Sequence, residues 1–272
     1  MSLKKDADGK RYVEMELELS ATPEEVWHAM ATGQGYAAWF VPADIDERVG
    51  GDLTFHLMPG VTSGGKVTIW EPPHRFGYEE YNWSGEAPPV ATEITIETLS
   101  GGICKMHMVH SLFTSRDDWD DEMESFEKGW PGFFRILRIY LENFAGKHAA
   151  QSQARGNFKG SSETAWKKLA EAFGFVGAKI GDAKTVAAGG GRLDGTVEHV
   201  TTEAKHHELL LRLDEPGPGV ANIGSYEWGG QTHVAVQLIF YGDDADAVLS
   251  RETPYWEKWM GANFPAAAPP QT

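Results

Sequence analysis

His110 is the titratable residue best placed to do chemistry. Met106, Met108 and His110 occupy alternate positions of one strand and therefore share a face. A histidine on a cavity wall can act as acid, base or hydrogen-bonding partner near neutral pH. The competing reading is a core histidine satisfied by a backbone carbonyl or a neighbouring hydroxyl. Catalysis needs a partner, and Tyr78, Glu80 and Asn82 are candidates if their strand faces the same way. His107 falls on the opposite face from His110, so the two cannot share a metal. Of the adjacent His206, His207 and Glu208, only His206 and Glu208 share a face, which falls short of a zinc set. The acidic run Asp117–Glu127 lacks the glycine turn and alternating ligands of a hand-type calcium loop. Cys104 is the sole cysteine, which excludes an internal disulfide and a cysteine-rich zinc site. It reads as a packed thiol in an apolar strand. Serine-hydrolase, zinc-protease, P-loop and dinucleotide signatures are absent, and Gly189–Gly191 reads as a flexible loop. No metal and no cofactor is expected.

Tryptophan supplies the other chemical lever. Trp27, Trp39, Trp70, Trp83, Trp119 and Trp130 crowd the first half of the chain. Aromatic residues at regular spacing are usually core. Trp39 and Trp130 are expected to flank the mouth of a cavity whose walls would suit a flat or apolar ligand. The candidate lining is Trp39, Phe55, Met108, His110, Trp130, Phe133 and Leu137.

Elements must position these residues, and the organising one is Phe126–Phe144. Trp130, Phe133, Phe134, Leu137, Tyr140, Leu141 and Phe144 make one stripe of a long helix. Pro131 falls in its first turn or kinks a longer helix. Upstream, Tyr12–Leu19 alternates as a half-buried strand, and Thr22-Pro23-Glu24-Glu25 opens a helix carrying Val26, Trp27 and Met30 inward. Gly33 and Gly35 break it before a second short helix over Tyr36–Phe40. Strands follow at Gly51–Met58, Lys66–Trp70, Phe76–Trp83, Val90–Leu99 and Ile103–Phe113, with Pro59–Gly65 as a loop. No βαβ rhythm appears, so the class is α+β: one curved antiparallel sheet wrapped around one long helix.

The motifs in this stretch resemble a known family. Ser20-x-x-Pro23-Glu24-Glu25-Val26-Trp27, Trp39-Phe40-x-Pro42, Arg48-x-Gly50-Gly51, Gly65-x-Val67 with Glu71-Pro72, a strand ending in Trp83, Met106-x-Met108-x-His110 and Glu127-Lys128-Gly129-Trp130 run in order over Arg11–Phe144. Together they resemble the START-like helix-grip superfamily and, within it, the heat-shock-protein-90 ATPase activator homologues. The resemblance implies a cavity between sheet and carboxy-terminal helix. It implies a reaction far less directly, since members of one fold differ in use.

Residues 148–160 are small and polar and read as a linker between domains at 1–147 and 161–264. Beyond it the first half returns in shortened form. Gly195-Thr-Val parallels Gly65-Lys-Val, Gly229-Gly230 parallels Gly101-Gly102, Trp166 stands for Trp27, and Ala245–Met260 stands for the Trp130 helix. No counterpart of Tyr12–Leu19 precedes Trp166, and Gly177–Arg192 is poor strand material. A shorter sheet with a smaller cavity, or none, is expected, followed by a frayed tail at 265–272.

The formal charge of −16 argues against nucleic acid and anionic membrane surfaces as partners. No apolar run reaches the roughly 20 residues of a membrane span, and the polar start lacks a signal-peptide core, so a cytoplasmic protein is expected. Three functions follow in order. The first is binding of a small hydrophobic or aromatic ligand in the first domain. The second is a co-chaperone-like or regulatory module with a protein partner. The third is a cyclase- or hydrolase-type enzyme using His110.

Overall fold

The computed structural model describes residues 4–5, 11–58, 60–81, 88–112 and 120–265. The chain forms two compact units, residues 1–146 and 147–272. The first runs β1 (Lys4–Lys5), β2 (Arg11–Leu19), α1 (Pro23–Ala31), α2 (Gly33–Ala37), β3 (Ala43–Ile45), β4 (Asp52–Met58), β5 (Val61–Glu71), β6 (Arg75–Tyr81), β7 (Val90–Thr98), β8 (Cys104–Leu112) and α3 (Asp120–Asn143). Its strands make one antiparallel sheet in the order β1-β2-β8-β7-β6-β5-β4-β3.

Local chemistry explains the elements. In β2, Val13, Met15, Leu17 and Leu19 are buried while the glutamates between them turn outward. A capping box starts α1: Glu25 N–H donates to Thr22 Oγ1 at 3.2 Å, and Thr22 N–H donates to Glu25 Oε2 at 2.8 Å. Thr32 then joins the short helices, donating to the His28 carbonyl and accepting from Gly35 N–H. Helix α2 therefore spans Gly33–Ala37 rather than Tyr36–Phe40. Gly35 does not break the chain. A Cβ there would lie 1.9 Å from the His28 carbonyl oxygen, so glycine is what lets α2 close on α1.

Gly65 corrects a second expectation in the same way. The segment expected as a loop, Pro59–Gly65, belongs mostly to β5, because a Cβ on Gly65 would sit 2.1 Å from the Glu79 carbonyl oxygen. Here glycine permits close strand approach rather than a turn. Helix α3 begins at Asp120, before the expected start at Phe126. Pro131 is interior to it. Ile136, Leu137, Tyr140, Leu141 and Phe144 are buried, and Arg138 Nη1 donates to the Glu18 carbonyl at 2.7 Å, tying α3 to β2. Asn82, Trp83, Phe113, Asp117, Asp118 and Trp119 lie outside the described residues.

The second unit runs β9 (Ala149–Phe158), α4 (Ser162–Phe173), β10 (Ala183–Ala188), β11 (Gly191–Glu203), β12 (His206–Glu215), β13 (Gly219–Trp228), β14 (Gln231–Tyr241) and α5 (Ala245–Asn263). Its antiparallel order is β10-β11-β12-β13-β14-β9. The order β4-β5-β6-β7-β8-β2 of the first unit thus recurs, with α4 in the place of α1 and α5 in that of α3. Counterparts of β3 and α2 are missing among the described residues, so this grip is shortened.

Two expectations fail here. Residues 148–160 are no linker: Ala149–Phe158 pairs along its whole length with β14 and is the counterpart of β2. Its inward positions are small (Ala150, Ala154, Gly156), so the alternation escapes a search for large apolar residues. Residues 177–192 also contain strand. Gly189 and Gly190, at φ of 61° and 101°, make the tight turn between β10 and β11. Among the described residues, no helix is long and apolar enough to cross a membrane.

Candidate functional site

One row of residues crosses the first sheet at right angles to its strands. Register places Val67 opposite Tyr78, Tyr78 opposite Thr92, Thr92 opposite His110 and His110 opposite Val13. The three central members are polar and fully buried. Thr92 Oγ1 and His110 Nδ1 are hydrogen-bonded at 2.7 Å. The Tyr78 phenol interacts with Thr92 on one side and with Tyr36 of α2 on the other. In the next row, Glu80 lies opposite Gly65 and Val90, and its Oε1 accepts from Ser63 Oγ at 2.6 Å. All these groups fall at one end of the sheet, the end that faces Trp130 in the interior of α3.

Aromatic rings face this polar strip. Trp130 stands 6.1 Å from the His110 ring, stacks on Phe134 at 5.5 Å, and lies 6.4 Å from Trp39 and 5.2 Å from Phe40 (centroid separations). Phe133 meets Phe40 edge-on at 4.7 Å, and Phe55 meets Tyr36 and Tyr78 edge-on at 5.0 and 5.7 Å. The indole N–H of Trp130 is buried with no acceptor among the described residues. Burial shapes the titrating groups. It pulls His110 down to about 4, so the imidazole is neutral at pH 7. It raises the Glu80 carboxyl above the usual carboxylate range, although the Ser63 bond opposes it. Burial first, and Glu80 second, push the Tyr78 phenol up; burial and then Tyr78 do the same to Tyr36.

Trp39, Phe55, His110, Trp130 and Phe133 are linked by this ring cluster. Met108 lies on the His110 face between Ile94 and Met15, and Leu137 is farther along α3; both are buried. Trp39 is not at a rim. It is fully buried, and its indole N–H donates to the Ala29 carbonyl at 2.9 Å. The sequence reading named Tyr78 and Glu80 and missed Ser63, Thr92, Tyr36 and Phe40. Thr92 did leave a signal, a hydroxyl in the otherwise aliphatic inward series Val90, Ile94, Ile96.

The three central members of the same row in the second unit are apolar. Val197 pairs with Leu211, Leu211 with Ala221, Ala221 with Leu238, and Leu238 with Ser152. Leu213 stands opposite Gly195, as Glu80 stands opposite Gly65. Buried polar groups here lie elsewhere. Ser162 Oγ donates to the Ser225 carbonyl at 2.9 Å and bonds His207 Nδ1 at 3.0 Å, fixing the start of α4 to the sheet. His207 is therefore buried and bonded, and Glu208 beside it is buried too. Among the described residues, no group of three or more His, Cys, Asp or Glu could hold a metal.

An antiparallel sheet closed over a long carboxy-terminal helix, with helices inserted after the first long strand, defines a helix-grip protein of the α+β class. Residues 20–142, most of the first unit, match the family model described as activator of Hsp90 ATPase homolog 1-like protein. Among solved structures, the chain is similar to CalU16 from Micromonospora echinospora (18% identity, 52% of this chain and 83% of that one, TM-score 0.43). It is similar to MLL2253 from Mesorhizobium loti (23% identity, 48% and 97%, TM-score 0.45). A third, DynU16 of the dynemicin biosynthetic locus, is similar across 92% of this chain and 96% of its own, at 16% identity and TM-score 0.44. No curated protein matches the chain.

Proposed function

We propose that the first unit binds a small molecule with an aromatic body and one or two polar groups, held between the sheet and the Trp130–Phe134 turn of α3. The family fits ligand binding or a regulatory role. The observation that favours a ligand is the buried polar row Tyr78–Thr92–His110 with Glu80 beside it, at positions where the second unit carries Leu211, Ala221, Leu238 and Leu213. Buried polar groups cost free energy relative to a well-packed aliphatic row, and the same fold manages without them. Their retention is explained by recognition. The test is native mass spectrometry of the full chain purified from its own source. A bound small molecule released on collisional activation is expected; a chain carrying nothing contradicts the proposal.

The polar line Tyr36–Tyr78–Thr92–His110, with Thr92 hydrogen-bonded to His110, also favours a second reading, acid–base catalysis on the bound molecule. It ranks lower because a histidine held neutral down to about 4 is a weak base at neutral pH. His110→Ala leaving conversion of an identified ligand unchanged would remove it.

A further inference from the structure

Resting on the binding reading, we propose that the site selects by charge: it takes an uncharged aromatic molecule bearing a hydroxyl, of the phenol class, and excludes carboxylates and phosphates, with Glu80 the residue that excludes them. Two independent observations support this.

The first is the inventory of the strip. Ser63, Tyr36, Tyr78, Thr92, His110 and Glu80 include one carboxyl and no lysine or arginine, and the buried described residues of the whole unit include neither cation. A buried anion needs a cationic partner or several donors to replace its water. His110 cannot supply the charge, because burial keeps its imidazole neutral at pH 7. An ionised Glu80 would repel a second carboxylate where screening by water is weak, and burial opposes bringing either one in as an anion.

The second is the donor and acceptor pattern. Trp130 offers a buried N–H with no acceptor among the described residues. Glu80 uses Oε1 on Ser63 at 2.6 Å and retains the acceptor capacity of a carboxyl group. A hydroxyl is the smallest group that both accepts and donates, and the facing rings of Phe40, Phe55, Trp130 and Phe133 suit a flat apolar body.

Isothermal titration calorimetry of the full chain at pH 7.5 tests the inference with 2-naphthol and 2-naphthoate, which share a ring system and differ in charge. The naphthol should bind at least tenfold more tightly than the naphthoate. Glu80→Gln, which keeps the side-chain shape, should narrow that ratio at least threefold, chiefly by improving naphthoate. Equal affinity of the two probes in the wild-type chain overturns the charge inference and leaves the binding reading standing. A ratio unchanged by Glu80→Gln removes Glu80 as its cause. Failure of both probes to bind overturns the binding reading and the inference together.

Discussion

The two units solve one folding problem with one set of backbone devices and fill the result differently. In each, a glycine in the long strand lets the neighbour approach closely: a Cβ would lie 2.1 Å from the Glu79 oxygen at Gly65 and 2.2 Å from the Arg212 oxygen at Gly195. Two residues on, the register slips at the same place, between Val67 and Ile69 and between Val197 and His199, which curves the sheet. The gripping helix carries an internal proline in both, Pro131 and Pro254. The contents then diverge. One row reads Tyr78, Thr92, His110; its counterpart reads Leu211, Ala221, Leu238. Curvature belongs to the fold, whereas polarity in that row belongs to whatever the first unit does.

The comparison can be broken most forcefully at Trp256, fully buried on α5. Trp256→Ala should cost the second unit about 3–5 kcal/mol through the cavity left behind, read as an earlier transition in chemical denaturation, while ligand retention by the first unit is unchanged. Loss of retention as well would mean that the units do not divide the work in this way.

Acid should distinguish the units next. A histidine that is neutral when folded down to about 4, but titrates near 6.5 when unfolded, contributes stability that is full above 6.5 and lost on acidification. Across that window the loss is roughly 3 kcal/mol. Glu80 acts with the opposite sign. Its raised value contributes stability at low pH that disappears as pH rises through the folded value. The difference between wild type and His110→Leu therefore isolates the histidine, and the variant should show a flatter acid limb. An unchanged limb would place His110 in a solvated setting.

Gly65→Ala and Gly195→Ala should be alike, each costing about 1–3 kcal/mol by forcing strands apart. Unequal losses in the two denaturation transitions would show that the shared bulge has different weight in the two sheets. Thr92→Val, which removes one hydroxyl from the line at nearly constant volume, should cost about 1–2 kcal/mol. Ala221→Val, its counterpart by register, adds only apolar volume and tests packing alone.

Large alternating apolar side chains made most of the first fold legible: β2 through Val13, Met15, Leu17 and Leu19, and α3 through its aromatic stripe. The errors share a cause. At Gly35, Gly65 and Gly156 the residue serves close backbone approach, and a single sequence cannot separate that use of glycine from a turn. Strand β9 was hidden because alanine and glycine hold its inward positions. In the site, His110 was legible from its spacing behind two methionines. Ser63 and Thr92 were not, because a lone hydroxyl in a strand is ordinary until register shows what stands opposite it. Tyr36 entered through the misplaced short helix.

The most direct test puts the second unit's row into the first. Tyr78→Leu, Thr92→Ala and His110→Leu together, in the full chain, replace polar groups by aliphatic ones at matched register, a change that can be close to neutral for folding. Native mass spectrometry of this variant and the wild type, purified side by side from the source organism, should show a retained small molecule on the wild type alone, with thermal melting of the variant close to or above that of the wild type. Retention by both chains would contradict the account, because the row would then be a feature of the core rather than of recognition.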